Sequence, residues 1–245
     1  MKRTLKIVTL KSNDVMEAWI RLVKYCLQNE APIVFGDEND PKRIGAEICS
    51  RVVLEKNAVE QLINGVALGD DPRCPFGKNA IQAYINEYTL EYIEEQSKLP
   101  IGDNKKFTYT YYDRLRRYPV GNEMIDQIAA LRDNVGRQVK SGIFSNRHQA
   151  ITWIPEIDIM SSEPPCLQRI WVSLVDIQAI EVHLDWRSRD LHDAWLANLI
   201  AIVSMLHRDI AKPNGCRIVR VIDSCDSLHI YAGQLEKAKT GIKGY

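Results

Sequence analysis

Alternation of apolar and polar residues marks two neighbouring stretches in the last third of the chain. The apolar members are Ile170, Val172 and Leu174 in the first stretch and Ile180, Val182 and Leu184 in the second. A period of two places these side chains on one face of an extended strand. The residues 175–178 between them are enough to reverse the chain, so the pattern predicts a β-hairpin.

Helical spacing follows the hairpin directly. The apolar positions that recur at this spacing are Leu196, Leu199, Ile200, Val203 and Leu206. Near the N-terminus, residues 5–10 predict a strand, and Asp14 is the predicted N-cap of a helix over residues 15–26. Strands and helices therefore mix without strict βαβ alternation. This order predicts an α+β fold.

Weaker patterns cover the middle and the ends of the chain. We predict one continuous helix over residues 80–96, and another over 124–134 with Ile125 among its inward residues. The polar residues 36–47, which contain glycine and proline, predict a loop that carries Arg43. The polar tail 236–245 is expected to be partly mobile.

The amino-acid composition argues against several classes of function. The 245 residues include 32 basic and 32 acidic side chains, so no net charge draws the chain to nucleic acid. No apolar stretch approaches the roughly 18 residues of a membrane span, which makes a cytoplasmic protein the expectation. The six cysteines form no Cys-x-x-Cys pair, and we therefore expect no metal site.

Two side chains suited to catalysis flank the predicted hairpin. Cys166 stands before its first strand, behind Pro164 and Pro165, which fix the backbone. Arg187 follows the second strand, where its cation could favour the thiolate form of Cys166. On its own, such a cysteine is more often a packed residue at a strand end.

Taken together, these motifs resemble the thymidylate synthase family. The matching residues are Pro165 and Cys166, the Arg-Ser-x-Asp corner at Arg187, Ser188 and Asp190, then Asn198, and finally Asp226, His229 and Tyr231. The resemblance is clear over residues 109–231 and weak over 1–108. We expect residues 1–245 to form one domain.

The resemblance implies a fold and an assembly. The family's fold is a large bent mixed β-sheet flanked by helices, with one sheet face used for homodimerisation. Arg147 matches one of two family arginines that reach the partner's nucleotide phosphate. Asn146 replaces the other, which removes one charged donor unless another arginine, such as Arg43, compensates.

It also implies a reaction, the reductive methylation of dUMP to dTMP. Cys166 would add to C6 of the pyrimidine, because C5 of uracil is otherwise too weak a nucleophile. Glu60 and Tyr111 match further catalytic positions, with Tyr109 as the second choice for the tyrosine. The residues matching substrate contacts are Arg43, Arg147, Arg187, Ser188, Asp190, Asn198, His229 and Tyr231.

Departures from the family fall mainly on the side of the one-carbon donor. Leu167, Trp186 and Ala194 replace residues usual in the family, and Ser227 with Leu228 lengthens the spacing from Asp226 to His229. The chain resembles the short, divergent archaeal thymidylate synthases. The donor is therefore expected to be 5,10-methylenetetrahydrofolate or a modified tetrahydropterin such as methylenetetrahydromethanopterin. A nucleotide hydroxymethylase and a non-catalytic nucleotide-binding protein remain alternatives.

Overall fold

The computed structural model describes residues 5–35, 42–100 and 107–245. Its strands are β1 (Lys6–Ser12), β2 (Glu30–Phe35), β3 (Lys42–Leu54), β4 (Tyr118–Val120), β5 (Glu123–Ile125), β6 (Gln149–Ile151), β7 (Leu167–Asp176), β8 (Ala179–Trp186), β9 (Arg189–Asp190) and β10 (Arg217–Tyr231). Its α-helices are α1 (Val15–Leu27), α2 (Lys56–Ile63), α3 (Lys78–Asn86), α4 (Leu90–Lys98), α5 (Tyr111–Arg116), α6 (Gln127–Ser141), α7 (Pro155–Asp158), α8 (Trp195–Leu206) and α9 (Leu235–Gly241). A π-helical turn, His207–Ala211, continues α8.

Within the described residues, eight strands form one sheet in the order β1-β3-β10-β8-β7-β6. The two further strands pair at the side of this path, β2 with β3 and β9 with β10. Parallel pairing of β1 with β3 and of β8 with β10 is combined with antiparallel pairing elsewhere, as in β7 with β8. The predicted α+β fold with a mixed sheet flanked by helices is confirmed.

Helix α8 lies at the centre of the core. All of its residues except Asn198 and Ser204 are buried, as expected for a helix that is apolar around its whole circumference. It packs against α2 and α3. Because the helix is enclosed, any polar side chain on it must be accommodated by a cavity or by a hydrogen-bonding partner.

The strongest sequence patterns give the right elements. Strands β7 and β8 form the predicted hairpin, with buried residues alternating along β7. Helix α1 begins after Asp14, whose Oδ1 accepts a hydrogen bond of 2.7 Å from the amide of Glu17. The predicted N-cap is therefore confirmed.

The predicted helix over residues 80–96 is wrong, because the chain forms two helices there. Helix α3 ends at Asn86 and α4 begins at Leu90. Thr89 caps α4 by accepting a hydrogen bond from the amide of Tyr92 at 3.3 Å. A threonine in extended conformation at this position ends one helix and starts the next.

The inward placement of Ile125 is also wrong. Asp126 caps α6 by accepting a hydrogen bond from the amide of Ala129, so Ile125 precedes the helix. Ile125 instead belongs to the small hairpin of β4 and β5, where its side chain is exposed. The N-cap thus sets the helix start at Gln127, three residues later than the apolar pattern predicts.

Two predicted irregular segments contain regular structure. Residues 42–47 of the expected loop belong to β3, and Arg43 is therefore an exposed strand residue, while residues 36–41 lie outside the described part. The tail contains α9, in which Ala238 is buried and Leu235 packs against the core. Leu235, Ala238 and Ile242 recur at helical spacing, which explains the contact.

A β-bulge accounts for the lengthened spacing before His229. Cys225 of β10 lies opposite Ser50 of β3, and Leu228 lies opposite Ile48. An advance of three residues along β10 therefore corresponds to only two residues along β3. One extra residue is absorbed locally and the antiparallel pairing resumes beyond it.

Candidate active site

Cys166 lies at the start of β7, where Arg187 holds its segment in place. The amide of Arg187 donates to the carbonyl of Cys166 at 3.0 Å. Its guanidinium donates from Nε to the carbonyl of Pro165 at 3.0 Å and from Nη2 to that of Pro164 at 2.5 Å. The thiol is half-buried, so a fixed backbone and an adjacent cation coincide with a thiol that solvent reaches.

A cavity of about 300 Å³ lies next to this segment. Its lining includes Tyr84, Glu87, Phe107, Tyr109, Tyr111 and Asn198. Aromatic faces of this kind suit a planar ring system, and the amide of Asn198 offers both a donor and an acceptor. The cavity therefore fits a heterocyclic ligand with a hydrogen-bonding edge.

Two tyrosines connect the cavity with Cys166. Burial raises the pKa of Tyr109 to about 12, and the charge of Cys166 adds to this while Arg187 opposes it. Burial, Cys166 and Tyr109 also raise the pKa of Tyr111, against the influence of Arg189 and of a hydrogen bond from the Cys166 backbone. Both phenols therefore stay protonated near neutral pH, beside the thiol.

His229 and Tyr231 lie together near the end of β10. Their rings make an edge contact with centroids 4.8 Å apart. His229 Nδ1 lies 3.1 Å from the carbonyl of Ser227, which can only accept, so Nδ1 carries the proton. Nε2 is then an acceptor, and it is buried with no partner among the described residues. Burial lowers the pKa of His229, which keeps the ring neutral.

Asp190 is occupied within the fold. Its Oδ1 accepts hydrogen bonds from the amides of His192 at 2.8 Å and Asp193 at 3.1 Å, and its Oδ2 accepts from Gln234 at 3.3 Å. It therefore shapes the turn that follows the Arg-Ser-x-Asp corner. Ser188 lies half-buried in that corner.

Known proteins resemble this chain over most of its length. The model of the family described as thymidylate synthase matches residues 16–244. The chain belongs to the thymidylate synthase family. Three similar curated proteins are each named "Putative thymidylate synthase". The protein of Methanothermobacter marburgensis is 28% identical over 239 residues, which cover 94% of this chain and 96% of its own.

The other two relatives come from different archaea. The Methanocaldococcus jannaschii protein is 28% identical over 197 residues, covering 78% of this chain and 81% of its own. The Methanosarcina mazei protein is 32% identical over 165 residues, covering 65% of this chain and 69% of its own. The predicted resemblance to the thymidylate synthase family is thus confirmed, and it extends well beyond residues 109–231.

Membership of the thymidylate synthase family does not bring every predicted residue to the cavity. The side chain of Glu60 on α2 is 58% exposed and forms an ion pair of 3.9 Å with Lys56. Ala58, Val59 and Leu62 form the buried face of α2, and Glu60 lies on the other side. The structure therefore places Glu60 in solvent.

Glu87 is a carboxyl group of the cavity that the sequence analysis did not predict, and Glu163 is another. Glu87 lies at the end of α3, it is half-buried, and it lines the cavity together with Tyr84 and Asn198. Burial raises its pKa above the ordinary glutamate value. The available signal was its position between Tyr84 and Tyr88 in an aromatic stripe.

Two predicted arginines lie on the surface. Arg43 is exposed on β3, one residue before Ile44, which lies opposite Tyr231 of β10. Arg147 is exposed just before β6, at the opposite edge of the sheet from β1. Neither lines the cavity of its own chain.

Among residues 5–35, 42–100 and 107–245, no three histidine, cysteine, aspartate or glutamate side chains are grouped so that they could hold a metal ion. In the same ranges, no helix has both the length and the apolar character needed to span a membrane.

Proposed function

We propose that the protein catalyses the reductive methylation of dUMP to dTMP. One observation carries this proposal: Cys166 is held by Arg187 beside an aromatic cavity that also contains the amide of Asn198. The proposed nucleophile thus lies beside the cavity that the proposed base-reading group lines. The names of the archaeal relatives support the same activity.

Cys166 acts as the nucleophile. Its thiolate forms a bond to C6 of the uracil ring, and the electron pair of the C5–C6 double bond moves towards C5 and O4. C5 then becomes nucleophilic enough to bond to carbon. The C5 proton is lost as the donor leaves the transferred carbon. Hydride added to that carbon then re-forms the C5–C6 double bond and expels Cys166 as its thiolate.

The remaining residues hold the nucleotide. Asn198 donates to O4 and accepts from N3–H of uracil, and the neutral Nε2 of His229 accepts from the sugar hydroxyl beside Tyr231. Arg187 keeps free N–H groups after its two bonds to the proline carbonyls, and these bind the phosphate with Ser188. Arg43 adds a further cation from β3, one residue before the position opposite Tyr231.

The aromatic part of the cavity suits a reduced pterin. Tyr84 and Phe107 present ring faces there, and a tetrahydrofolate or tetrahydromethanopterin derivative fits such faces. The methylene-carrying pterin supplies the one-carbon unit and the hydride when it is bound. The protein's part is to orient the ring and to exclude water from the site.

The test is release of tritium from C5 of labelled dUMP with a panel of methylene-carrying reduced pterins. We expect release with at least one of them and a product with the mass of dTMP. A hydroxymethylated product would favour the hydroxymethylase alternative. Binding of dUMP without any tritium release across the panel would contradict the proposal.

We further propose that Glu87, in place of Glu60, moves protons in the cavity. Replacement of Glu87 by Gln removes the exchangeable carboxyl proton and keeps the size of the side chain, so kcat should fall about a hundredfold or more. dUMP affinity should change much less. Steady-state kinetics and calorimetry measure the two effects.

Glu60→Gln is the matched control, because its side chain lies in solvent beside Lys56. We expect this variant to keep near-wild-type kcat. If Glu60→Gln were inactive and Glu87→Gln active, Glu60 and not Glu87 would be the residue that transfers protons.

We also propose a homodimer in which Arg147 acts on the phosphate bound by the partner. Two observations support it: Arg147 is exposed away from its own cavity, and the second face of β7 and β8 carries half-buried residues such as Trp171 and His183. A second copy packed on this face would bury them.

Mixing inactive Arg147→Ala with inactive Cys166→Ala should therefore restore activity. A heterodimer would contain one site with both native residues, so we expect up to about half of a wild-type site per chain. Heterodimers confirmed by mass spectrometry that stay inactive would exclude a shared site.

A further inference from the structure

A fully buried charged cluster lies behind the candidate active site. It consists of Trp186, Arg189, Trp195 and Asp223, and we call it the Asp223 cluster. Asp223 is 0% exposed and Arg189 is 2% exposed. Such charges are costly to bury without hydrogen-bonding partners. Among the described residues, Arg189 Nε has no such partner.

The two carboxylate oxygens of Asp223 collect three donors. Oδ1 accepts from Trp186 Nε1 at 2.9 Å and from Arg189 Nη1 at 2.9 Å. Oδ2 accepts from Trp195 Nε1 at 2.8 Å. Arg189 also donates from Nη2 to the carbonyl of Trp195 at 2.6 Å, and its guanidinium lies 3.9 Å from the ring centroid of Trp186.

Each member comes from a different element. Trp186 ends β8, Arg189 begins β9, Trp195 begins α8, and Asp223 lies within β10. Hydrophobic packing alone would tolerate small shifts between these elements, because it is not directional. Three hydrogen bonds to one carboxylate fix distances and angles at once.

The same elements carry the candidate site residues. The ring of Trp186 makes an edge contact with Tyr111 at 5.7 Å, and Trp186 pairs with Leu167, the residue after Cys166. Arg187 and Ser188 lie in the corner between Trp186 and Arg189. Trp195 opens the helix on which Asn198 lies one turn later.

We propose that Asp223 is a positioning residue that aligns the nucleophile strand, the Arg-Ser corner and the base-facing helix for the reaction. Trp186 acts through Tyr111 and Cys166, and Trp195 acts through Asn198. The proposal rests on the proposed conversion of dUMP. Buried ion pairs can often be replaced by apolar residues without loss of stability, so their stability alone does not explain them. The proposal gives this ion pair a role.

The test is a double-mutant cycle on the kcat/KM for dUMP. Trp195→Phe keeps an aromatic ring but removes the indole N–H that donates to Asp223 Oδ2, and we expect kcat/KM to fall about tenfold to a hundredfold. In an Asn198→Ala background, Trp195→Phe should lower kcat/KM by less than about threefold, because the residue through which Trp195 acts is absent. A purely structural role would give the same loss in both backgrounds and would overturn the proposal.

Trp186→Phe with Tyr111→Phe forms a second, independent cycle, which serves if Trp195→Phe fails to fold. Trp153→Phe is the matched control, since Trp153 is a half-buried tryptophan outside the cluster. We expect it to keep wild-type kcat/KM.

Hydrogen exchange with mass spectrometry gives a readout that does not depend on turnover. Trp195→Phe should raise exchange in the corner and in the first turn of α8 together, and Trp153→Phe should not. If wild type fails to convert dUMP, the proposed function fails, and the exchange pattern alone decides whether the cluster couples these segments. Unchanged exchange in both segments would contradict the coupling.

Discussion

Cys166→Ala should abolish release of tritium from C5 of dUMP, because no other thiol in the chain can replace the lost nucleophile. Burial raises the pKa of each of the other five cysteines, which keeps these thiols protonated. These cysteines are Cys26, Cys49, Cys74, Cys216 and Cys225. dUMP affinity should stay within about tenfold, roughly 1.4 kcal/mol, because the covalent bond forms after binding.

Cys74→Ala is the control for Cys166→Ala, since both thiols are half-buried and pack against the core, but Cys74 does not line the cavity. We expect Cys74→Ala to retain tritium release. Tritium release by Cys166→Ala at the wild-type rate would remove Cys166 from the mechanism and would leave the cavity as a binding site alone.

Asn198→Asp should shift the substrate preference from dUMP towards dCMP. Uracil presents O4 as an acceptor and N3–H as a donor, which an amide held in one orientation satisfies together. A carboxylate accepts from the amino group of cytosine but faces O4 of uracil with a second acceptor. A buried mismatch of this kind costs about 1–3 kcal/mol, so the ratio of the two kcat/KM values should change about tenfold to a hundredfold.

Asn57→Asp introduces the same charge at an exposed position in the first turn of α2, and it should leave the ratio unchanged. If wild type already prefers dCMP, or if Asn198→Asp leaves the ratio unchanged, Asn198 does not read the base. The substrate assignment would then have to be abandoned as well.

Local patterns in the sequence predicted the part of the site that is itself local. Cys166 directly precedes β7 and Arg187 directly follows β8, so both lie at the open end of the hairpin. The period of two that predicts β7 and β8 therefore also predicts that these two residues meet. Tyr111 and Asn198 were placed by their family positions, and the structure puts both of them on one cavity.

Residues whose roles depend on burial by distant segments could not be predicted in this way. Glu87 and Glu60 are both glutamates on helices with apolar stripes, and only the packing of α3 against α8 makes one of them a cavity residue. The three partners of Asp223 approach it from 28 to 37 positions away in the sequence. The periodicity of residues within one helix or strand does not predict such contacts between distant elements.

Errors at helix ends had a different cause. Apolar spacing predicted the helix content around residues 80–96 and 124–134, but it does not show where a helix begins. Thr89 and Asp126 decide the starts of α4 and α6 through hydrogen bonds to amides three residues ahead. Attention to threonine and aspartate as caps would have corrected both boundaries.

The β-bulge in β10 also bears on how insertions are tolerated in this strand. Successive side chains in a strand point to opposite faces of the sheet. Without a bulge, one added residue before His229 would therefore turn both His229 and Tyr231 to the other face. Because the bulge takes up the addition between Cys225 and Leu228, the next residues, Leu228 to Ile230, pair with β3 in regular register. One residue more in β10 at this point therefore leaves His229 on the same face of the sheet.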